Sequence, residues 1–310
     1  MVYNMNRDEI LKLIGEPIES LLASASSVRE QYVGSGMELC GIMNAKSGSC
    51  PEDCKFCAQS AHYSTNVAGY DLRTRDDMFN AALEAKKNGA KRFGIVTSGN
   101  KLTVGELDEI IEGVNLIKSG VDIDICASLG ALAPINIKRI KDAGVTRYHH
   151  NIETSRRHYP QIVTTHSYDE RLDTVRSAKI SGMEVCSGGI LGIGESWEDR
   201  VDLALQLKEL DVDSVPINVL VPIKGTPLEG SNLITPFDVI RSIAMFRIVL
   251  RSKTIKIAAG RESALKDYQA LIFMAGANGM MIGGYLTVAG RAVSEDWELV
   301  RNIEGLWKKG

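Results

Sequence analysis

From about residue 90 to residue 290, the chain repeats one pattern of hydrophobic and polar positions. A short run rich in β-branched residues ends in Gly, Ser or Asn, and a segment with apolar residues three and four positions apart follows it. The first kind of run is typical of a strand and the second of an amphipathic helix. The pattern therefore predicts a series of alternating strands and helices.

Capping residues predict where several of these helices begin. Thr103 and Glu106 have the spacing of a capping box. Similar helix starts are predicted near Thr74, Ser167 and Ser196. After Thr103, five apolar residues fall on one helical face: Leu107, Ile110, Ile111, Val114 and Ile117.

Eight strand-like runs can be counted, and each but the last precedes a helical segment. They cover residues 38–44, 92–98, 122–128, 146–151, 183–188, 214–221, 254–259 and 279–283. Residues 293–306 supply the last helix, and residues 1–30 are predicted to be a helical extension with its helix over 8–28. We therefore predict an α/β protein with one (β/α)8 barrel of TIM type over residues 38–303, in a single domain spanning 1–310. A doubly wound open sheet is the alternative, because a strand count from sequence is easily wrong by one.

Composition and charge narrow the class of protein. Of the 310 residues, 44% are hydrophobic and 24% charged, which is typical of a globular chain. The 36 basic and 39 acidic residues give a formal net charge of −3, so there is no overall positive field to attract a polyanion. We expect neither nucleic acid nor a membrane as a partner.

The N-terminal residues lack the apolar core and cleavage site of a secretory signal. The longest uncharged run, Tyr268 to Gly290, has the length of a membrane span, but it contains five glycines. Together with Asn278 and Thr287, these favour a helix, a turn and a short strand. We expect a cytoplasmic protein whose six cysteines are reduced.

Three cysteines share one short loop after the first predicted strand, at the end of a barrel that usually carries the active site. Cys50, Cys54 and Cys57 have the spacing CxxxCxxC. Three thiolates can bind three irons of a 4Fe-4S cluster and leave the fourth iron open. Zinc is the alternative, but tetrahedral zinc needs a fourth protein ligand, and the usual paired spacing is absent. The loop favours an iron-sulfur cluster.

The aromatic Phe56 completes a CxxxCxΦC loop like that of the radical S-adenosylmethionine enzymes. The wider sequence SGSCPEDCKFCAQSAHY, from Ser47 to Tyr63, resembles that of the biotin synthase family. The resemblance covers about residues 38–303 and implies the same barrel. Further matching segments follow in the order of that family: CASLG from Cys126, YHHNIETS from Tyr148, CSGGILGIGE from Cys186, PIN from Pro216, KGTPL from Lys224, GRE from Gly260 and FMAGAN from Phe273.

This resemblance implies a radical sulfurtransferase that converts dethiobiotin to biotin. The 4Fe-4S cluster would bind S-adenosylmethionine, and the 5′-deoxyadenosyl radical made from it would remove hydrogens from C9 and C6 of dethiobiotin. An auxiliary cluster, 2Fe-2S or a variant of it, would supply the sulfur. Reduced flavodoxin or ferredoxin as electron donor and a homodimer are implied as well.

The resemblance also implies binding residues beyond the loop. Glu153 would meet the ribose of S-adenosylmethionine and Arg171 its carboxylate, while Asn151 and Asn218 would meet the ureido ring of dethiobiotin and the ribose. His149 stands where the family has an asparagine. A glycine turn, a solvated helix face and capping of strand ends are the ordinary structural alternatives. The adenosine would lie along the segment containing Gly188, Ile190, Gly192 and Glu195.

Cys126, Cys186 and Arg261 match three ligands of the family's auxiliary cluster, but Gly94 stands in place of the fourth, a cysteine. One interior layer of a barrel takes its side chains from alternate strands, and Cys40 lies on the first strand. We therefore predict that Cys40 completes a cluster of the same or different nuclearity with these three residues. A buried free thiol that packs as a small hydrophobe is the alternative.

Two other functions remain at this stage. A radical enzyme of the same subfamily without sulfur insertion, of the maturase or mutase type, would not need Cys126, Cys186 and Arg261. A non-catalytic iron-sulfur electron carrier would need neither a barrel nor the glycine-rich segment.

Overall fold

Parallel strands form the centre of the fold. The computed structural model describes residues 5–287 and 290–308, and the nine strand segments found there all pair in parallel. They are β1 (Glu38–Lys46), β2 (Arg92–Thr97), β3 (Asp124–Ser128), β4 (Val145–His149), β5 (Glu184–Cys186), β6 (Gly189–Leu191), β7 (Ser214–Val219), β8 (Thr254–Ile257) and β9 (Gly279–Met281).

These segments close into a barrel. The order of neighbours is β5, β4, β3, β2, β1, β9, β8, β7, β6, and β7 also pairs with β5 where Cys186 lies beside Ser214. Since β7 pairs with both β5 and β6, these two segments are the halves of one barrel strand. The predicted (β/α)8 barrel is confirmed, and the open-sheet alternative is wrong.

The predicted strand over 183–188 is interrupted at Ser187 and Gly188, between β5 and β6. A Cβ atom at Gly188 would lie 1.9 Å from the carbonyl oxygen of Pro216, so only glycine allows this close approach. The amide of Gly188 instead donates to Asn151 Oδ1 at 3.0 Å. The interruption places the glycine-rich segment against the neighbouring strand.

Helices surround the barrel, and the four predicted helix starts are confirmed. Thr74, Thr103, Ser167 and Ser196 are N-caps, each within a capping box. The helices are α1 (Arg7–Ile14), α2 (Ile18–Tyr32), α3 (Arg75–Lys87), α4 (Val104–Gly120), α5 (Pro134–Ala143), α6 (Tyr159–Ile162), α7 (Tyr168–Ile180), α8 (Trp197–Glu209), α9 (Pro236–Leu250), α10 (Arg261–Leu265), α11 (Leu271–Met274) and α12 (Val293–Trp307).

The N-terminal extension contains two helices rather than the single one predicted over 8–28. Gly15 ends α1, and Pro17 is the N-cap of α2, where its missing N–H costs no helical hydrogen bond. The guanidinium of Arg241 donates to the carbonyl oxygen of Glu16 at 2.7 Å, and the guanidinium of Arg29 lies 4.2 Å from the ring centre of Trp307. The extension is thereby tied to α9 and α12.

Successive residues of each strand face opposite sides, so one side of the strand packs in an apolar layer and the other side faces the barrel interior. Phe93 and Ile95 belong to the hydrophobic core, whereas Gly94 between them faces the interior. Among the described residues, no helix is long and apolar enough to cross a membrane. The uncharged run that begins at Tyr268 contains α11 and β9, as predicted.

Candidate active site

A cavity of about 380 Å³ lies within the barrel, which is a usual size for a small-molecule site. Side chains from strands all around the barrel line it, as do the cysteine loop after β1 and the residues after β9. Eight of the site residues proposed from sequence are part of this lining: Cys40, Cys57, Cys126, Asn151, Glu153, Cys186, Ile190 and Asn218.

The cysteine loop is folded back on itself by backbone hydrogen bonds. The amide of Cys50 donates to the carbonyl of Gln59 at 3.0 Å, and the amide of Cys57 donates to the carbonyl of Cys54 at 2.9 Å. Burial raises the pKa of Cys57 to about 11, and the nearby Cys50 adds to the rise. Burial also raises the pKa of Cys54. These thiols are therefore protonated until a metal displaces the protons.

The donor set of this loop suits a cluster better than a single ion. Within residues 5–287 and 290–308, no three His, Cys, Asp or Glu side chains are placed to hold one metal ion. In a 4Fe-4S cluster each thiolate binds its own iron, so the sulfurs need not converge on one point.

Glu153 projects into the cavity from a backbone in the left-handed region, with φ of 66°. Asn151 Nδ2 donates to Glu153 Oε2 at 3.3 Å, and Arg171 Nη1 lies 4.0 Å from Glu153 Oε1. Burial raises the pKa of Glu153, although the Arg171 guanidinium opposes the rise. Arg171 lies behind this carboxylate and does not line the cavity.

Glu195 acts within the glycine-rich loop. Its carboxylate accepts from the amides of Gly192 and Ile193 at 2.9 and 2.8 Å, and from Arg200 Nε at 2.8 Å. Neither Gly192 nor Glu195 lines the cavity, whereas Ile190 does. The carboxylate therefore fixes the shape of the loop, and Ile190 supplies its contact surface.

Both asparagines proposed to bind substrate also join neighbouring strands. Asn151 Oδ1 accepts from the amide of Gly188 at 3.0 Å, and Asn218 Oδ1 accepts from the amide of Ala259 at 3.2 Å. Asn218 Nδ2 donates to the carbonyl of Gly189 at 3.4 Å. An amide side chain has two donors and an acceptor with two lone pairs, so each retains hydrogen-bonding capacity toward the cavity.

Three further thiols lie deeper in the barrel. Cys40, Cys126 and Cys186 come from β1, β3 and β5, and all three line the cavity. Burial raises the pKa of Cys126 to about 12. At Cys186, burial is outweighed by the Lys256 ammonium and by His149, so the pKa falls to about 6. The interior thus brings together the three strand cysteines that the sequence singled out.

Lys256 is a site residue that the sequence analysis did not single out. Its Nζ donates to Cys40 Sγ at 3.2 Å and to Glu38 Oε1 at 2.9 Å. The sequence did contain a signal for this position, because Lys256 stands between Ile255 and Ile257 in a strand. Its side chain must therefore face the side opposite to the two isoleucines.

Glu38 lies below these thiols and pairs with three cations. Arg147 Nη1 lies 2.7 Å from its Oε1, and Arg92 Nε lies 3.1 Å from its Oε2. Lys256 is the third cation. Burial would raise the pKa of Glu38, but Lys256 and Arg147 outweigh burial and lower it.

Ile42 occupies the space beside Gly94, where the family has a cysteine. A Cβ atom at Gly94 would lie 3.1 Å from Ile42 Cγ2, so a side chain there would press against Ile42. Along β1, Cys40 lies two residues before Ile42 and faces the same interior.

The structure does not bring Arg261 to the three thiols. Arg261 is the first residue of α10 and does not line the cavity. Its guanidinium donates to Asp296 Oδ1 at 2.6 Å, to Gln269 Oε1 at 2.6 Å and to the hydroxyl of Tyr285 at 3.0 Å. Lys256 lies beside the thiols in its place, and Arg261 instead anchors α12 and the residues after β9.

Comparison with known proteins adds to this geometry. Residues 46–207 match the family model of the Radical SAM superfamily, and residues 216–304 match that of the Biotin and Thiamin Synthesis associated domain. The chain is 47% identical to biotin synthase from Heliobacterium modesticaldum over 295 residues, covering 95% of this chain and 90% of that protein. It is 48% identical to biotin synthase from Geobacter metallireducens over 286 residues, covering 92% and 87%. The chain belongs to the biotin synthase family.

Solved structures agree on the fold of this family member. The crystal structure of methylornithine synthase superposes with a TM-score of 0.83 at 21% identity, covering 98% of this chain and 93% of that one. An FeFe-hydrogenase maturase from Carboxydothermus hydrogenoformans gives a TM-score of 0.84 at 17% identity, covering 97% and 75%. At these identities the likeness shows the shared barrel alone.

The pair between Arg261 and Asp296 predicts a large stability effect. The two side chains are 1% and 0% exposed, and Asp296→Ala leaves the guanidinium with Glu262, whose Oε1 lies 3.2 Å from Arg261 Nη2, as its remaining carboxylate partner. We expect the free energy of unfolding to fall by about 1–3 kcal/mol, because a buried charge-assisted hydrogen bond is lost. Glu298→Ala, at an exposed position of the same helix, is the matched control and should change it by less than about 0.5 kcal/mol. Equal denaturant midpoints for both variants would contradict this role.

Proposed function

We propose that this chain is a radical sulfurtransferase that converts dethiobiotin to biotin. The observation that carries the proposal is the presence of two separate groups of three cysteines at one barrel. Cys50, Cys54 and Cys57 lie on the loop after β1, whereas Cys40, Cys126 and Cys186 lie on the strands. Lys46, the last residue of β1, lies six residue steps beyond Cys40, which is about 20 Å of strand. One group can therefore serve radical formation and the other sulfur donation.

The three loop cysteines, Cys50, Cys54 and Cys57, form the upper group. This group suits a 4Fe-4S cluster with bound S-adenosylmethionine. When bound, these groups supply the 5′-deoxyadenosyl radical that removes hydrogen from the substrate. Cys50, Cys54 and Cys57 would hold three irons and leave the fourth for the cofactor. Glu153 presents a carboxylate that can accept from ribose hydroxyls, and Arg171, beside Glu153 at the edge of the cavity lining, would supply the positive charge for the carboxylate of the cofactor.

The rest of the cavity would hold dethiobiotin and exclude water from it. Asn151 and Asn218 offer both donors and acceptors, which suits a neutral ureido ring. Much of the remaining lining is apolar, including Ile190, Ile223 and Leu286. Apolar walls protect a carbon radical, because they exclude solvent and so limit side reactions.

The three strand cysteines, Cys40, Cys126 and Cys186, form the lower group. This group suits an auxiliary iron-sulfur cluster. Cys40, Cys126 and Cys186 are soft thiolate donors, which such clusters require. Cys40 would be the cluster ligand in place of the cysteine whose position Gly94 occupies. We assign the neighbouring cation to Lys256 rather than Arg261, because the Lys256 ammonium lies beside Cys40 and balances the negative charge of thiolates and sulfides.

The proposal extends to the setting of the enzyme. Reduced flavodoxin or ferredoxin would supply the electron, and the chain would act as a homodimer in the cytoplasm. A reducing compartment suits six cysteines that are all free. The chain would fold as one domain, since both family matches fall on the same closed sheet.

Replacing one cysteine of the upper loop should abolish radical formation. Cys54→Ala removes an iron ligand, so we expect 5′-deoxyadenosine formation from S-adenosylmethionine, after anaerobic reconstitution and reduction, to fall to background. Chromatography of the quenched reaction measures the product. Cys40→Ala is the control and should retain this activity, because it leaves the loop unchanged. Wild-type levels of 5′-deoxyadenosine from Cys54→Ala would refute the assignment.

Replacing Cys40 should uncouple the two halves of the reaction. Cys40→Ala removes a thiolate from the lower group, so we expect fewer irons per chain and no biotin, with 5′-deoxyadenosine still formed. Cys40→Ser should keep part of the auxiliary iron, since oxygen is a poorer but possible ligand. Iron and sulfide analysis beside a biotin assay measures both effects. Full iron content and normal biotin yield in Cys40→Ala would instead mean that Cys40 is a buried free thiol.

A further inference from the structure

A buried histidine connects the cysteine loop to Arg171. His166 Nδ1 lies 2.7 Å from Glu52 Oε2, and Arg171 Nη2 lies 2.9 Å from His166 Nε2. The side chain of His166 is only 4% exposed. Glu52 belongs to the cysteine loop, between Cys50 and Cys54. One imidazole therefore contacts both the loop and the guanidinium behind Glu153.

The partners of His166 define its protonation. A guanidinium has donors only, so Nε2 must accept from Arg171 with its lone pair. Nδ1 then carries the hydrogen and donates it to the Glu52 carboxylate. Burial and the Arg171 guanidinium hold the pKa of His166 below its ordinary value, which agrees with a neutral ring. His166 is thus fixed in one tautomer, with a donor on one side and an acceptor on the other.

Two further bonds fix the rest of the Arg171 guanidinium. Nε donates to the hydroxyl of Tyr159 at 2.7 Å, and Nη1 donates to the carbonyl of Asn151 at 3.0 Å. These partners lie on α6 and after β4. The third bond, to His166, leads to the cysteine loop. It therefore sets the distance between that loop and the guanidinium.

The segment that carries His166 is itself bound to the loop. The carboxylate of Asp53 accepts from the amides of Thr164 and Thr165 at 2.8 and 3.2 Å. His166 follows these residues directly, so its backbone moves with the cysteine loop. The loop, the histidine and the guanidinium form a continuous hydrogen-bonded unit.

We propose that His166 is a positioning residue for S-adenosylmethionine, which holds Arg171 at the distance from the cysteine loop that the bound cofactor requires. This inference rests on the proposed function, in which the amino-acid part of the cofactor would meet the open iron and its carboxylate would meet Arg171. A ligand held at two points is sensitive to their spacing, because a partner that moves away no longer meets the ligand at hydrogen-bonding distance. His166 touches neither reacting atoms nor iron and acts through Arg171.

Three substitutions test this role in the reconstituted holoenzyme. His166→Phe keeps the ring volume but removes both hydrogen bonds, so we expect the dissociation constant for S-adenosylmethionine to rise about ten- to a hundredfold. His166→Gln should restore most of the affinity, because its amide can donate to Glu52 and accept from Arg171. His166→Ala should behave like His166→Phe and be partly rescued by added imidazole.

The readouts separate positioning from folding. Equilibrium binding of S-adenosylmethionine, seen as a change in the electron paramagnetic resonance of the reduced cluster, measures affinity, and iron analysis measures cluster loading. We expect full iron content in all three variants, and a higher KM for S-adenosylmethionine with a smaller change in kcat. His62→Ala is the matched control, because this exposed histidine contacts the same loop through the carbonyl of Pro51 at 2.9 Å. It should bind S-adenosylmethionine like the wild type.

Wild-type affinity in His166→Phe, with cofactor binding intact in the parent enzyme, would overturn this inference and leave the proposed function standing. The same loss in His166→Phe and His166→Gln, accompanied by loss of iron, would assign His166 to folding of the loop and overturn it too. A parent enzyme that binds no S-adenosylmethionine would overturn the proposed function itself. If His166→Phe does not fold, the imidazole rescue of His166→Ala decides, and absence of rescue counts against positioning.

Discussion

A single carboxylate, Glu38, determines the chemistry of the barrel interior. It lies at the start of β1 and pairs with Arg92, Arg147 and Lys256, which come from three other strands. Each of these charges would be costly to bury alone, and together they are stable because every cation has a carboxylate partner. The cluster closes one end of the barrel with fixed charges instead of apolar side chains. It leaves the cavity above it free for a ligand.

Two cations of this cluster also act on the thiols next to it. Arg147 and Lys256 both act on Cys186 and favour its thiolate, and Lys256 also contacts Cys40. A group of thiolates, sulfides and iron carries negative charge, which these two cations would stabilise. At the other end of β1, the cysteine loop depends on a different set of contacts, through Glu52 and Asp53 to the segment before α7. The two groups of cysteines therefore lie in separate electrostatic environments of one barrel.

Most of the fold could be predicted because its signals are local. Alternating runs gave the strands, and capping boxes such as that at Thr103 gave the helix starts. The interruption of the strand at Gly188 could not be predicted, because its cause is the carbonyl of Pro216 on a neighbouring strand. The two N-terminal helices were predicted as one, although Pro17 is a visible local reason for the break.

The site residues could be predicted where a sequence motif identifies them. They were harder to predict where the direction of a side chain determines whether it reaches the site. The strand cysteines reach the cavity as alternation requires. Arg261 matched a family segment, but β8 ends at Ile257, and Gly260, with φ of 85°, turns the chain so that Arg261 begins a helix and points toward Asp296. Lys256 was marked by its two isoleucine neighbours, yet its pairing with Glu38 depends on strands far apart in the sequence. The bonds of Glu195 to its own loop are likewise visible only in three dimensions.

We propose that one barrel holds two separate iron-sulfur groups, with Cys40 completing the group bound by the strand cysteines. A crystal structure of the anaerobically reconstituted protein, with an anomalous difference map recorded at the iron edge, tests it most directly. The account predicts two separate iron peaks, one at Cys50, Cys54 and Cys57, and one with the sulfurs of Cys40, Cys126 and Cys186 about 2.3 Å from iron, a distance usual for metal thiolates. Iron confined to the upper loop, with the three lower thiols unbound, would contradict it.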